Sequence, residues 1–385
     1  MTQRLAFFAC RPYSFDARAF VEEARRFSPR SLVVFYDFRQ FALGHAPEDF
    51  DKGLLPMPYR RTASAFLNKM LLPLLFLIDM AALARFLWKI LRRYRPEICW
   101  IEHTYAAVFL CLFKRLGLCP TLVYLPGDWL GGHKTGKLLS DIANNVIYPR
   151  ADGFVMKRAD LVLFGNPMFR TKRLEYWKRN VPRKDGVYSP LRFPAFSAAQ
   201  AANGDRHSLC FIGDARPDAG LDLVLRALET LSRQGPFRVK MIGPRGEGWP
   251  AFSRMIAASG VADRVDILGY LPEEELAEAV QDCFCGLNVL TSDASYSSCV
   301  IPGKQLNYLR FLLPIIATRG AGTLVPDIET AKLGRIIPAD ATRLEEAVLD
   351  IHRHQAAYRK NMLDYIRRLQ PLSIEELLRH GAISR

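Results

Sequence analysis

The stretch Tyr296-Ser297-Ser298-Cys299-Val300-Ile301-Pro302-Gly303-Lys304-Gln305-Leu306-Asn307-Tyr308-Leu309, running on into Pro314-Ile315-Ile316-Ala317, decides how this chain is built. Pro302 and Gly303 shape a helix start whose first N–H groups have no partner inside the helix. The apolar run at 314–317 reads as a short buried strand following directly on that helix. Loop, helix and buried strand in that order form one step of an α/β sheet. Lys304, in the first helical turn, adds a full charge to the free N–H groups and suits a diphosphate. Asn307 lies three residues on, shares a helix face with Lys304, and can hydrogen-bond a ribose hydroxyl. The plain alternative is a solvated Lys and a surface Asn.

The same alternation extends in both directions. Strands are expected at Arg4–Cys10, Ser31–Tyr36, Ile98–Ile101, Thr121–Leu125 and Leu161–Phe164, then at Ser208–Ile212, Arg238–Ile242, Val265–Ile267, Cys285–Val289 and Pro314–Ala317. Helices are expected between them, among them Ala65–Arg93, Tyr105–Leu116, Pro167–Lys178, Leu221–Arg233 and Lys304–Leu312. Short apolar strands separated by amphipathic helices indicate parallel sheets covered on both faces. The strands restart near 208, after a stretch at 189–206 rich in Pro, Ala and Ser that reads as a linker. Two doubly wound, Rossmann-like domains result, over 1–195 and 205–368, with a final helix at 370–385 able to pack back on the first. Their expected ligand site is the cleft between the carboxyl ends of their strands.

In the second domain, strand ends meet small loops at Gly213-Asp214, at Gly243-Pro244-Arg245 and at Gly269-Tyr270. Each can bring backbone N–H groups near a diphosphate; each alone is equally an ordinary turn. Tyr296 and Ser298 precede the Lys304 helix and complete the donor-side candidates. Gly131-x4-Gly136-Lys137 looks like a phosphate-binding loop, but Leu138 stands where the magnesium-holding hydroxyl belongs. No Gly-x-Gly-x-x-Gly follows the first strand of either half, which weighs against a dinucleotide oxidoreductase.

The chain has 385 residues, half of them hydrophobic, and a formal net charge of +14, which excludes a disordered chain. Residues 1–205 hold 31 Lys and Arg against 17 Asp and Glu, whereas 206–385 hold 22 of each. The whole excess therefore belongs to the first half and points to an anionic partner there. The eight Cys include no Cys-x-x-Cys and read as small apolar residues in a reducing compartment; the seven His show no zinc spacing. The apolar start after Arg4 is too short for a signal peptide. Around 66–90 the chain is strongly apolar, with Leu71, Leu75 and Phe76 near its centre. Asp79 interrupts the run, and Arg85, Lys89, Arg92 and Arg93 follow. Such a helix is expected to lie in the headgroup plane of an anionic leaflet rather than to span it. A buried domain helix with a cationic end is the alternative. The basic run from Arg170 to Lys184 offers a second contact patch or a solvated helix face. Nucleic acid is disfavoured, because no aromatic platform or reader motif interleaves these bases.

The order Gly213, Gly243, Gly269 and then Pro302-Gly303-Lys304-x-x-Asn307-Tyr308-Leu309 before Leu313-Pro314-Ile315-Ile316-Ala317 resembles the nucleotide-sugar half of GT-B glycosyltransferases. Many retaining members carry two Glu seven residues apart around this helix; here Asn307 replaces the second and the pair is missing. The Lys-x-x-amide arrangement is more similar to the glucuronosyltransferase of xanthan assembly and its relatives. That resemblance implies a uridine diphosphate sugar as co-substrate, no metal cofactor and a lipid-linked saccharide acceptor at the cytoplasmic face of the membrane. It also directs attention to Trp100-Ile101-Glu102-His103 and Tyr124-Leu125-Pro126-Gly127-Asp128, which end successive strands of the first domain. Asp128 becomes the candidate general base of an inverting transfer, and His103 the alternative base or acceptor ligand. A retaining transferase and an inactive nucleotide-sugar-binding assembly partner are the two rival readings.

Overall fold

The computed structural model describes residues 4–9, 26–28, 31–35, 65–127, 138–165, 167–176, 182, 184–187, 206–216, 218–243, 248–271, 273–291, 302–322, 324–368 and 375–376. The chain divides into two compact units, Met1–Arg192 with Pro371–Arg385, and Phe193–Gln370. The expected linker at 189–206 lies, except for Arg206, outside the described residues.

The first unit holds β1 (Leu5–Ala9), β2 (Leu32–Phe35), α1 (Ala65–Tyr94), β3 (Ile98–Ile101), α2 (Thr104–Arg115), β4 (Thr121–Tyr124), α3 (Leu138–Ile142) and a π-helical turn (Ala143–Ile147). It continues through α4 (Tyr148–Met156), β5 (Leu161–Phe164), α5 (Pro167–Tyr176) and β6 (Asp185–Val187). The six strands form one parallel sheet in the order β2-β1-β3-β4-β5-β6. β3 and β5 are buried along their whole length, as strands covered on both faces must be. Leu83, Leu87 and Leu91 recur every fourth residue on α1 and are buried, and Trp88 meets Phe113 of α2 edge-on at 5.4 Å. The C-terminal part of α1 is thus a domain helix.

The second unit holds β7 (Ser208–Ile212), α6 (Leu221–Leu231), β8 (Arg238–Ile242), α7 (Trp249–Ala258), β9 (Val265–Gly269), α8 (Glu273–Ala279) and β10 (Cys283–Asn288). After it come α9 (Gly303–Arg310), β11 (Ile315–Thr318), α10 (Val325–Thr330), β12 (Gly334–Ile337), α11 (Ala341–Arg353) and α12 (Gln355–Arg368). Its sheet is also parallel, ordered β12-β11-β10-β7-β8-β9, so strand order reverses between β7 and β10. Leu221, Val224, Leu228 and Leu231 make the buried stripe of α6, with Arg226 and Glu229 outside. Asp340 caps α11 by accepting from the Arg343 N–H at 2.9 Å, and Leu344, Val348 and Ile351 bury its inner face.

Tyr308 joins helix to sheet at the point of reversal. Its hydroxyl accepts from the Ile212 N–H at 3.0 Å and donates to the Leu287 carbonyl at 2.9 Å, with the Cys210 carbonyl at 3.2 Å. Its ring lies on Gly286, where a Cβ would come within 2.3 Å of the ring carbons. Only glycine admits this approach, so β10 gives up a side chain to seat the helix that carries Lys304. Removing the hydroxyl in Tyr308→Phe leaves buried strand groups without their partner. We expect a loss of about 1–3 kcal/mol, read as a lower urea-unfolding midpoint of the full chain. Gly286→Ala, which must displace the ring itself, should cost more.

Candidate nucleotide-sugar site

The second unit offers its site at the switch between β7 and β10, where open α/β sheets take ligands. β7 ends in Gly213, whose φ of +129° turns the chain away as its N–H donates to the Ile242 carbonyl at 2.9 Å. Gly220, at φ +63°, closes the loop over Val289, and a Cβ there would sit 2.9 Å from the Val289 carbonyl oxygen. The Thr291 N–H donates to the Asp218 carbonyl at 3.0 Å, tying the loop to the end of β10. Arg216 and Asp218 form a two-pronged ion pair within the loop.

Lys304 reaches back from the first turn of α9 to this loop. Its Cε lies 3.5 Å from the position a Cβ on Gly213 would take, and its Nζ stands 4.4 Å over the Phe211 ring. The side chain is half-buried and its ammonium is closely surrounded by protein. Burial lowers its pKa to about 8, helped by the Arg216 charge and opposed by Asp218 and Asp214. Among the described residues no carboxylate hydrogen-bonds it. A desolvated ammonium in the first turn of a helix favours an anion, and a diphosphate suits both the charge and the helix dipole.

Of the donor-side candidates, the structure brings Gly213, Asp214, Gly303 and Lys304 together, with Asp214 exposed and close enough to act on the Lys304 charge. Asn307 is half-buried one turn further along α9. Tyr270 is exposed at the end of β9, the edge strand, two strands from β7. Arg245, Tyr296 and Ser298 lie outside the described residues, as do the loop at 131–137 and Asp128. In the first unit His103 follows β3 by two residues and caps α2, its Nδ1 accepting from the Ala106 N–H at 3.5 Å, with its ring tilted against Tyr105. Among the described residues no group of three or more His, Cys, Asp or Glu gathers as a metal cluster.

Sequence reasoning passed over the residues that brace this site. Gln305 is fully buried and its Nε2 donates to the Ala321 carbonyl at 3.0 Å, which Asn288 Nδ2 also reaches at 2.7 Å. The Thr318 hydroxyl accepts from the Leu290 N–H at 2.9 Å. These polar side chains in apolar surroundings fix the loops after β10 and β11; Asn288 inside Cys285-Gly286-Leu287-Asn288-Val289-Leu290 was the available signal.

Residues 193–369 match the family model described as glycosyl transferases group 1. The match spans nearly the whole second unit and just under half of the chain. No curated protein matches the chain by sequence. Among solved structures, sucrose-phosphate synthase from Thermosynechococcus elongatus superposes with a TM-score of 0.67 at 14% identity, covering 98% of this chain and 97% of the other. Anabaena Alr3699/HepE in complex with UDP-glucose gives 0.63 at 14% identity, covering 99% and 98%. A structure described as trehalose-6-phosphate from E. coli bound with UDP-2-fluoro glucose gives 0.65 at 13% identity, covering 95% of each chain. These likenesses show the fold, which is GT-B with two Rossmann-like units, and the group 1 match within the second unit supports glycosyl transfer as the activity.

The depressed Lys304 pKa gives the site a pH dependence with a definite sign. The ammonium is charged below pH about 8 and loses its proton above it. UDP affinity measured by calorimetry should therefore hold from pH 7 to the high sevens and fall as pH rises through 8 to 9. Lys304→Ala should weaken UDP binding about tenfold or more at pH 7, the size of a lost charge-assisted hydrogen bond, and flatten that fall.

Proposed function

We propose that the protein transfers a sugar, with glucuronic acid the leading candidate, from a UDP-sugar to a lipid-linked saccharide in polysaccharide or glycan assembly. The observation that carries the reading is Lys304, desolvated against Gly213 and Phe211 at the head of α9. The Anabaena relative is named in complex with UDP-glucose, which supports a UDP-sugar here. The acidic-sugar reading rests on the positive charges of Lys304 and of Arg245, which follows the Gly243 turn after β8 in sequence.

The transfer inverts the anomeric centre. Asp128 takes the acceptor hydroxyl's proton as its oxygen attacks the anomeric carbon, and the bond to the diphosphate oxygen breaks in line. Lys304 and the α9 N–H groups stabilise the departing diphosphate in place of a metal ion. His103 stays with the acceptor side, as alternative base or ligand. Purified protein with a UDP-sugar panel and EDTA present should release UDP and form a product of inverted configuration. Asp128→Asn should bind UDP normally and lose turnover by about a hundredfold or more. A retained anomer would remove the Asp128 mechanism, and tight UDP binding with no transfer to any acceptor would favour the inactive assembly partner.

The first unit works at the cytoplasmic face of the membrane without crossing it. Among the described residues no helix is long and apolar enough to span a bilayer. On α1, Leu74, Leu77 and Ile78 are exposed, and so are Arg85, Lys89, Arg92 and Arg93. Steps of three and four residues carry one continuous face through Leu74, Ile78, Arg85, Lys89 and Arg92, apolar at one end and basic at the other. The side chains of Leu71, Leu75 and Phe76 lie outside the described ones. A face of this kind supports shallow insertion with the bases among anionic headgroups. Flotation should show the protein on phosphatidylglycerol-containing vesicles and not on neutral ones, and Arg85→Glu with Lys89→Glu should abolish it. Equal, negligible binding to both vesicles would defeat this part.

A further inference from the structure

The basic run from Arg170 to Lys184 reads in sequence as a surface patch, yet α5 turns one of its members fully inward. Arg170 and Lys172 are exposed, whereas Arg173 is completely buried and paired with the equally buried Asp152 of α4. Arg173 Nε lies 3.2 Å from Asp152 Oδ2, and its Nη2 donates to the Gly127 carbonyl at 2.6 Å and the Tyr148 hydroxyl at 3.0 Å. Asp152 Oδ1 accepts from the Tyr124 hydroxyl at 2.7 Å, and that hydroxyl is 2.7 Å from Thr104 Oγ1. Burial opposes the Arg173 charge, but Asp152 with Tyr148 and Tyr124 more than offsets it and holds the guanidinium protonated.

The chain of bonds has a particular geography. Thr104 opens α2 next to His103; Tyr124 ends β4; Gly127 is the last described residue before Asp128. Two adjacent strands therefore deliver their carboxyl ends to one buried ion pair supplied by α4 and α5. A pair placed only for stability has no need to reach a loop carbonyl beyond the strand, and apolar residues would fill the same volume without the cost of desolvation. We propose that Arg173 is a positioning residue of the acceptor side: its fork fixes the Gly127 carbonyl and, through Asp152 and Tyr124, sets that turn against the head of α2. The inference rests on the reading that this edge of the sheet receives the acceptor.

The test uses the full chain with its UDP-sugar and acceptor. Arg173→Lys keeps the charge but cannot span Asp152, Tyr148 and Gly127 together. Expected are a fall in kcat of tenfold or more, UDP affinity within twofold of wild type, and an altered pH profile of kcat/KM for the acceptor. Leu87→Ala, a buried residue of the same unit outside this network, supplies a comparison of similar or greater loss in Tm. Thr104→Ser, which preserves the hydroxyl, should keep wild-type kcat, and Thr104→Val should lower it with an unchanged donor KM. Full kcat in Arg173→Lys, or a loss matched by Leu87→Ala with an unmoved pH profile, overturns the proposal. Failure of the underlying reading looks different: Asp128→Asn and His103→Ala would then both turn over normally.

Discussion

Tyr308 occupies the place where the parallel sheet of the second unit reverses its order, and three strand groups converge on its hydroxyl. A strand reversal leaves a crevice at the carboxyl ends, and whatever lines that crevice must be held at fixed height above the sheet. Here the height is set by a ring lying directly on Gly286. From that contact follow the pitch of α9, the reach of Lys304 back to Gly213, and the closure of the loop over Val289. The candidate donor site is therefore a consequence of helix-to-sheet packing, and its charged group is the last link in that chain.

The fold was legible because its signals are local. Ile98–Ile101, Leu161–Phe164, Ser208–Ile212 and Arg238–Ile242 are apolar blocks with breakers on both sides, and the strands occupy those residues. The missed strands β6 and β12 have different causes. Asp185–Val187 is only three residues long with a glycine at its centre, and Gly334–Ile337 opens on a glycine and carries Arg335. Both lie at sheet edges, where one neighbouring strand suffices and the apolar pattern is relaxed. The helical segment at 138–156 escaped because its first half exposes Leu138, Ile142 and Val146, so the usual inward apolar stripe is absent there.

The site was legible to the same depth. Lys304 announces itself by position, since a base in the first turn of a helix runs against the dipole and needs a reason. Gln305, Asn288 and Thr318 do not, because their role is to satisfy backbone groups of loops distant in sequence. Arg173 was misplaced altogether. Within Arg170-Thr171-Lys172-Arg173 nothing in composition distinguishes the buried arginine from its exposed neighbours; the carboxylate that draws it inward is 21 residues earlier.

Arg173 and Lys304, two desolvated cations, show why such groups carry different meanings. Arg173 is enclosed with a carboxylate, two phenols and a carbonyl, so its charge is met inside the fold by Asp152. Lys304 is also desolvated, but the nearest carboxylates, on Asp214 and Asp218, act on it only through space, and Asp218 is engaged by Arg216. Its lowered pKa agrees: burial outweighs Asp218 and Asp214, and no described carboxylate hydrogen-bonds the ammonium. On the proposed reading an arriving diphosphate would be its counter-ion, and the energy recovered on binding would be energy that folding left uncompensated. The exposed bases of α1, Arg85, Lys89, Arg92 and Arg93, work differently again, as charge whose reach is set by ionic strength. Raising salt should thus weaken whatever the first unit binds well before it weakens the donor site.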